Sequence, residues 1–564
     1  MKTDRERMAR PRRAGRVRSM LVGVFLGLSL GGVAACGGGG GGGVTPSPPP
    51  PPPPPPPSGG GPQWTEGVFD AATGFANRCE VPRSGVDIEG NAFPDLEGSL
   101  AEELFWLRSW THETYLWNRE VVDRDPAGFS DRIAYFDVLK TEAVTPSGTD
   151  KDDFHFSELT TDFLERRNNA PSAKYGASFA ILSGSPPRDI RVRFTEAGTP
   201  ATEAPLGTPN LVRGTEILEV DGEPVVDGAD VDALNGGLFP ATAGEVHTFL
   251  VRDPGATETR QITMTSASLV DDPVNRVRVI ETGGRRYGYI LFNTFSPNAS
   301  ERAIVEAMDT LDGAAIDDLV LDLRYNGGGL LAVASQLGYM VAGAARTNGR
   351  TFELLRFNDD AGNRNPVTGQ VNDPIPFIST GVGFSYPNGL SLPTLDLDRV
   401  FILTTGRTCS ASEAVINGLR GIGVEVVLIG DTTCGKPYGF YPQDNCGITY
   451  YTIQFQGVND EGFGDFADGF SPSNGASPFS VEVPGCRVND DFSAELGSAG
   501  EELFAAAAQY ATTGTCPAVP GTKPLEPAPS FKTGLVRADE VGPGREVPLG
   551  LNGRDLRMPG SDRW

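Results

Sequence analysis

Histidine is almost missing from this chain: His112, His155 and His247 are the only three in 564 residues. A function built on clustered imidazoles is therefore poorly supported. Neither a C-x-x-C nor a paired Cys/His spacing occurs, which argues against a structural zinc site. Beyond the first 20 residues there is no basic cluster, and the formal charge is -26. Nucleic-acid phosphates would be repelled. The apolar run "MLVGVFLGLSLGGVAA" is 16 residues long, short of the roughly 20 that a spanning helix needs. What remains is a chain with 39% hydrophobic and 21% charged residues, enough for two or three domains with a proper core.

The first segment has the pattern of a targeting sequence and is set apart from the fold. Lys2, Arg5, Arg7, Arg10, Arg12, Arg13, Arg16 and Arg18 precede the apolar run, which ends in Val33-Ala34-Ala35-Cys36. That ending resembles a bacterial lipobox, so residues 1–36 are expected to be a lipoprotein signal with Cys36 as the lipidated residue. The competing reading is an uncleaved membrane anchor, and in both the remainder is exported. Gly37–Gly43 and Pro48–Pro57 are unbroken runs. The first is a flexible leash and the second a polyproline spacer of roughly 30 Å. Together, 37–65 would hold a folded body away from a membrane, in the periplasm or at the cell exterior.

Six cysteines remain after Cys36: Cys79, Cys409, Cys434, Cys446, Cys486 and Cys516. An even number in an oxidising compartment points to disulfides. Sequence proximity favours Cys434 with Cys446.

The expected organisation is a multidomain α/β protein. Residues 66–168 have helical texture: "SLAEELFWLRSWTHETYLWNREVV" spaces Leu104, Leu107, Trp110 and Tyr115 along a helix, and "DRIAYFDVLK" does so again. His112 and His155 sit there among aromatics, as packing or surface residues rather than ligands. Residues 169–270 alternate in short strands with Gly, Pro and Asp turns, as in "YGASFAIL" and "GTEILEVDGEPV". These two stretches resemble the peptide-binding strand and the turn of a PDZ domain, a small β-rich module that captures peptide termini at a sheet edge. Residues 271–516 alternate strand and helix, which predicts an α/β layer. Residues 517–564 are rich in Pro, Gly and charge, and read as an irregular tail.

Within the α/β layer, "TTGRTCSASEAVINGLRG" raises Ser410 as either a helix cap or a nucleophile. Ser410-Ala411-Ser412-Glu413 fits the S-x-x-E capping box, and Glu413 is assigned to capping and the helix dipole. The same position offers backbone N–H groups to an oxyanion. Gly327-Gly328-Gly329 follows another buried strand, so both loops could open on one edge of the sheet. A nucleophilic serine needs a base, and no histidine falls within this layer. Lys436, in "DTTCGKPYG" one strand beyond the Ser410 helix, is better placed. An amine that loses its charge through burial can serve as a general base, as in Ser-Lys variants of the serine arrangement. Cys409 is a minor rival nucleophile.

Taken together and in this order, "LVLDLRYNGGGLL", "TCSASEAVINGLRG" and "VLIGDTTCGKPYG", after a PDZ-like segment, resemble the C-terminal processing (tail-specific) protease family over roughly residues 100–480. The resemblance implies a Ser-Lys dyad with Ser410 as nucleophile and Lys436 as base. It also implies an oxyanion hole from the N–H groups of Gly328 and Ala411. Two features depart from the pattern. Lys436 lies 26 residues after Ser410, one more than the family spacing. Phe440 stands where the family often has a lysine-orienting glutamine, a role that Gln443 could take from nearby. The expectation is an exported, lipid-anchored serine endopeptidase acting on protein or peptide substrates through their C-terminal segments, with no metal or organic cofactor and no nucleic-acid partner. The alternatives are an inactive peptide-binding lipoprotein and a tricorn-like Ser-His hydrolase.

Overall fold

The computed structural model describes residues 61–518 apart from Leu206. The basic leader, Cys36, the glycine and proline runs and the tail past 518 lie outside the described residues.

Helix α1 (Leu100–Thr114) starts where Ser99 accepts the Glu102 N–H, as an N-cap serine does. It stops at Thr114, short of the helical texture that runs on to Val122. Tyr115 turns to extended backbone, and the next amide, Leu116 N–H, donates to Ile453 C=O at 2.8 Å. The Tyr115 hydroxyl is held by buried Asp152 at 2.7 Å. Tertiary partners thus outbid a further helical turn. "DRIAYFDVLK" yields only the short helix Arg132–Phe136.

A small antiparallel sheet follows, from strands β1 (Ala177–Ser183), β2 (Asp189–Thr195), β3 (Glu216–Val220), β4 (Val246–Arg252) and β5 (Arg260–Thr265), with helix α2 (Val231–Leu238) between β3 and β4. The order is β5-β4-β3-β2-β1, which leaves β1 at an edge. Its own core comes from alternate residues such as Ile190, Val192, Phe249 and Val251, closed by Leu234 and Leu238 of α2.

The main sheet contains β6 (Val274–Thr282), β7 (Arg285–Phe292), β8 (Asp318–Asp322), β9 (Arg399–Thr404), β10 (Glu425–Gly430) and β11 (Gly485–Arg487), in sequential order. β6 and β7 form an antiparallel hairpin through Gly283-Gly284, both at positive φ, as a two-residue hairpin turn requires. From β7 to β11 all pairing is parallel. Helices α3 (Ala299–Asp312), α4 (Leu331–Ala342) and α5 (Ala411–Gly421) pack with one face of the sheet, meeting Ile290, Leu319, Leu321, Ile402 and Leu428. Alternate residues Tyr289, Val320, Phe401, Leu403 and Val427 face the opposite layer, where helix α6 (Glu502–Thr513) brings Leu503 and Phe504. Period-two strands buried on both faces are what parallel sheets require. The mixed α/β architecture expected from the sequence is present.

Three disulfides close: Cys79–Cys446, Cys409–Cys434 and Cys486–Cys516. The Cys434–Cys446 pairing expected from proximity is incorrect. Cys446 lies at the turn of the hairpin Gln443–Asn445/Ile448–Tyr451, beside the N-terminal strand Arg78–Cys79, while Cys434 lies beneath the start of α5. The fold, not the short loop, brings sulfurs together. Three disulfides place the folded body in an oxidising, extracytoplasmic setting. Among the described residues no helix is long and apolar enough to cross a membrane.

Candidate active site

Strand β9 delivers the chain into a loop that is sewn to its neighbour on β8. Thr408 Oγ1 donates to Leu323 C=O at 2.8 Å, and Cys409 N–H donates to Asn326 C=O at 3.1 Å. Ser412 Oγ donates to the same Asn326 oxygen at 3.0 Å. The loops after β8 and β9 are thereby brought to one end of the sheet. The chain then turns sharply into α5 at Ser410, whose φ of 58° and ψ of -114° lie outside the ordinary regions for a residue with a side chain. Such a conformation costs on the order of 1–3 kcal/mol and persists only where the surroundings impose it.

Glu413 imposes it. This fully buried carboxylate accepts Ser410 N–H at 2.9 Å and Lys436 N–H at 2.8 Å on one oxygen. The other oxygen accepts Gly435 N–H at 2.9 Å and the Thr433 hydroxyl at 2.6 Å. Burial pushes the Glu413 carboxyl above its usual range, and these four donors oppose that shift. The capping residue of the sequence reading therefore also holds the segment that carries Lys436. The Cys409–Cys434 disulfide joins the same two segments covalently.

Ser410 and Lys436 are inaccessible, at 0% and 1% exposure. Ser410 and Glu413 stand in the capping-box arrangement expected from the sequence, yet the Ser410 hydroxyl itself makes no hydrogen bond among the described residues. Lys436 Nζ stands over two aromatic faces, 4.4 Å from the Phe440 ring centre and 4.6 Å from that of Phe154. Phe440 thus sits against the amine that a glutamine in its place could hydrogen-bond. Gln443 lies on the hairpin and donates to Asp444 C=O at 3.2 Å. Phe154 comes from the N-terminal region, in one apolar cluster with Tyr115, Cys409, Tyr438 and Phe440. Neither its contact with Lys436 nor the second set of Glu413 partners has any signal in the sequence.

Gly328 adopts φ 104°. A Cβ there would come within 2.8 Å of both Cys409 O and Ser410 Cβ, and within 2.9 Å of Ala411 N. Only glycine permits so close an approach in this conformation. The structure therefore brings Gly328, Ser410 and Ala411 together. Gly328 N–H donates to Asn326 Oδ1 at 2.9 Å, while Asn326 Nδ2 donates to Phe292 C=O at 2.9 Å. Behind this loop lies a buried ion network in which Arg324 meets Asp322, Asp490 and Glu501. Arg213, preceding β3, donates to Tyr325 Oη at 2.8 Å and ties the small sheet to the same loop. Arg407, three residues before Ser410, is pushed down to about 9, first by the charge of Arg193 on β2 and then by burial.

The three histidines are engaged elsewhere. His112 stacks on Phe69, and His247 pairs with Asp221 at 2.6 Å. His155 donates from Nε2 to Phe136 C=O at 2.8 Å and lies 3.3 Å from Thr452 Oγ1 at Nδ1. Among the described residues, Cys409, Glu413 and Cys434 form a group whose ligand-type atoms lie within 4.8 Å of one another. Its two sulfurs are bonded to each other, and would have to be freed before they could hold a metal.

Residues 286–443 match the profile of peptidase family S41. Over that stretch the chain is similar to S41 peptidases. The matched stretch contains every motif residue described above from Asp322 to Lys436. Two curated relatives are similar to the chain. A carboxyl-terminal-processing protease from Picosynechococcus is 28% identical over 251 residues, covering 43% of this chain and 51% of that protein. The chloroplastic carboxyl-terminal-processing peptidase 2 of Arabidopsis thaliana is 28% identical over 283 residues, covering 49% and 48%. The chain thus spans about half the length of the curated relatives it matches. A Bacteroides fragilis crystal structure described as an S41 protease superposes with a TM-score of 0.54 at 24% identity, over 75% of this chain and 99% of that one. This likeness concerns the fold.

Proposed function

We propose that the chain is a serine endopeptidase that cleaves exported proteins or peptides through an acyl-enzyme, with Ser410 as nucleophile and Lys436 as general base. The observation that carries this reading is the joint placement of two buried side chains. A serine hydroxyl free of hydrogen bonds lies at a strained strand-to-helix turn, and a lysine packed on aromatic rings lies on the segment tied to it by Glu413. A neutral Lys436 amine takes the Ser410 proton as Oγ bonds to the substrate carbonyl carbon. The resulting ammonium protonates the departing amine as the C–N bond breaks. Water then cleaves the ester by the same proton route in reverse. The oxyanion would meet Ala411 N–H at the start of α5, and Gly328 N–H once it exchanges its bond to Asn326 Oδ1. That exchange gives bound substrate a part in assembling the site.

The small sheet serves as a PDZ-like capture module in this reading. β1 lies at an edge and can add a substrate strand through backbone hydrogen bonds. Arg193 and Arg407 place two cations near each other, close to the chain leading to Ser410. A substrate's terminal carboxylate would relieve their repulsion. Cys36 would carry the lipid anchor, with the glycine and proline runs as its spacer. A serine-directed fluorophosphonate tests the centre. Wild-type protein should be acylated at Ser410 and lose activity toward an unstructured peptide in proportion; active protein with no adduct at Ser410 refutes the assignment. Cys36→Ser should release the protein from membranes without changing kcat, and persistent membrane association would favour an uncleaved anchor.

A further inference from the structure

We propose that the Cys409–Cys434 disulfide is a positioning element of the catalytic centre, so that opening it uncouples Ser410 from Lys436 and switches the enzyme off while the fold survives. This inference depends on the Ser-Lys reading above.

Cys409 immediately precedes Ser410, and Cys434 lies two residues before Lys436. Between them the chain runs out along α5 and back along β10, so the bond closes this excursion at the point where both reactive side chains leave the backbone. Cys409 is fully buried in the apolar cluster that includes Phe154 and Phe440, the two rings beside Lys436 Nζ. The bond is reinforced by Cys434 N–H donating to Thr408 C=O at 3.1 Å. The other two disulfides lie elsewhere: one pins the N-terminal strand to the hairpin, and the other joins β11 to the residue run after α6.

Two thiols cannot approach as closely as two bonded sulfurs. Opening the bond, by reduction or by substitution, removes the covalent link that fixes the two loops at their closest point, and a shift of about 1 Å at a reacting group can cost about 10²-fold in rate. Glu413 still holds the amides of Ser410, Gly435 and Lys436, so the loops loosen without coming apart. Cys434 is partly exposed and can be attacked by a dithiol. The dithiol's first thiolate forms a mixed disulfide, and its second thiol releases the cysteine. The products are two protein thiols and one cyclic disulfide of the reductant. The chain is made reduced and gains this bond only in an oxidising compartment. The clasp thereby withholds peptidase activity until export.

The test compares full-length wild type, Cys409→Ala/Cys434→Ala and the control Cys79→Ala/Cys446→Ala. The readouts are fluorophosphonate acylation rate, kcat and KM on an unstructured peptide, and thermal melting. The first double variant should melt cooperatively yet show acylation and kcat lower by about 10²-fold, with KM within about twofold, the pattern of an interaction lost only in the transition state. The control should acylate within about threefold of wild type. A folded Cys409→Ala/Cys434→Ala protein that acylates at the wild-type rate overturns the proposal. Should that variant fail to fold, wild type reduced by a small dithiol decides, with a chelator present so that the freed thiols and Glu413 take up no metal. Loss of acylation that tracks opening of Cys409–Cys434 by mass mapping, and returns on reoxidation, supports the clasp. An opened bond with full activity refutes it. Oxidised wild type that is never acylated at Ser410 sinks the Ser-Lys reading and the clasp together, whereas equal rates in wild type and variant sink only the clasp.

Discussion

Glu413 accepts the backbone N–H of Lys436 at 2.8 Å, from the same carboxylate oxygen that accepts Ser410 N–H at 2.9 Å. A residue at the third position of a helix thus fixes a loop beyond the next strand. The expected consequences concern the residues that this carboxylate brings together.

Ser410→Ala should abolish peptidase activity and fluorophosphonate labelling. Its stability should stay within about 1 kcal/mol of wild type, at the low end for a lost cap, because the hydroxyl makes no hydrogen bond. Ser412→Ala loses the bond to Asn326 C=O and should be destabilised by about 1 kcal/mol while retaining most activity. The reverse pattern in paired denaturation and labelling assays would move the nucleophile to Ser412.

Lys436→Arg separates a charge from a base. Arginine cannot lose its proton near neutral pH, so a general base replaced by it should forfeit about 10²–10⁴-fold in kcat. Near-normal turnover by the variant would exclude lysine as the base and return attention to the histidines.

Phe440→Gln places an amide where a ring now faces Lys436 Nζ at 4.4 Å. The amide oxygen can accept from the ammonium form and stabilise it, so the acid limb of the pH–kcat profile should move to higher pH. An unchanged limb would mean that residue 440 does not set the amine's environment.

Gly328→Ala forces a side chain into positive φ and into contact with Cys409 O, Ser410 Cβ and Ala411 N. Acylation should fall by at least about tenfold through displacement of the Ser410 turn, in a protein that still melts cooperatively. Wild-type acylation would show that this approach has no bearing on the reaction.

His155 supplies a pH dependence of stability. Burial holds its imidazole down to about 4, against about 6.5 when unfolded. As pH falls below 6.5 the unfolded chain takes up a proton that the folded protein refuses. Stability is therefore full above that value and declines down to about pH 4, by about 3 kcal/mol from this group. Urea denaturation of wild type and His155→Phe across this range should give curves that converge toward acid. Parallel curves would show that His155 does not titrate in this way.

The sequence determined what local physics can write. The succession of strands and helices foretold an α/β layer, S-x-x-E placed the start of α5 at Ser410, and Gly327-Gly328-Gly329 marked the loop where backbones meet. Motif order alone brought Ser410 and Lys436 forward. Tertiary structure decided what depends on residues far apart in the chain. It ended α1 at Thr114 by giving Leu116 a partner in Ile453, and it paired Cys434 with Cys409 instead of nearby Cys446. It also laid Phe154 over Lys436 from more than 280 positions away. Periodicity and capping act within a few residues and leave a record in composition. A contact between distant parts of the chain is set by the packing of whole layers, so no local pattern announces which aromatic, carboxylate or sulfur will lie beside Ser410 and Lys436.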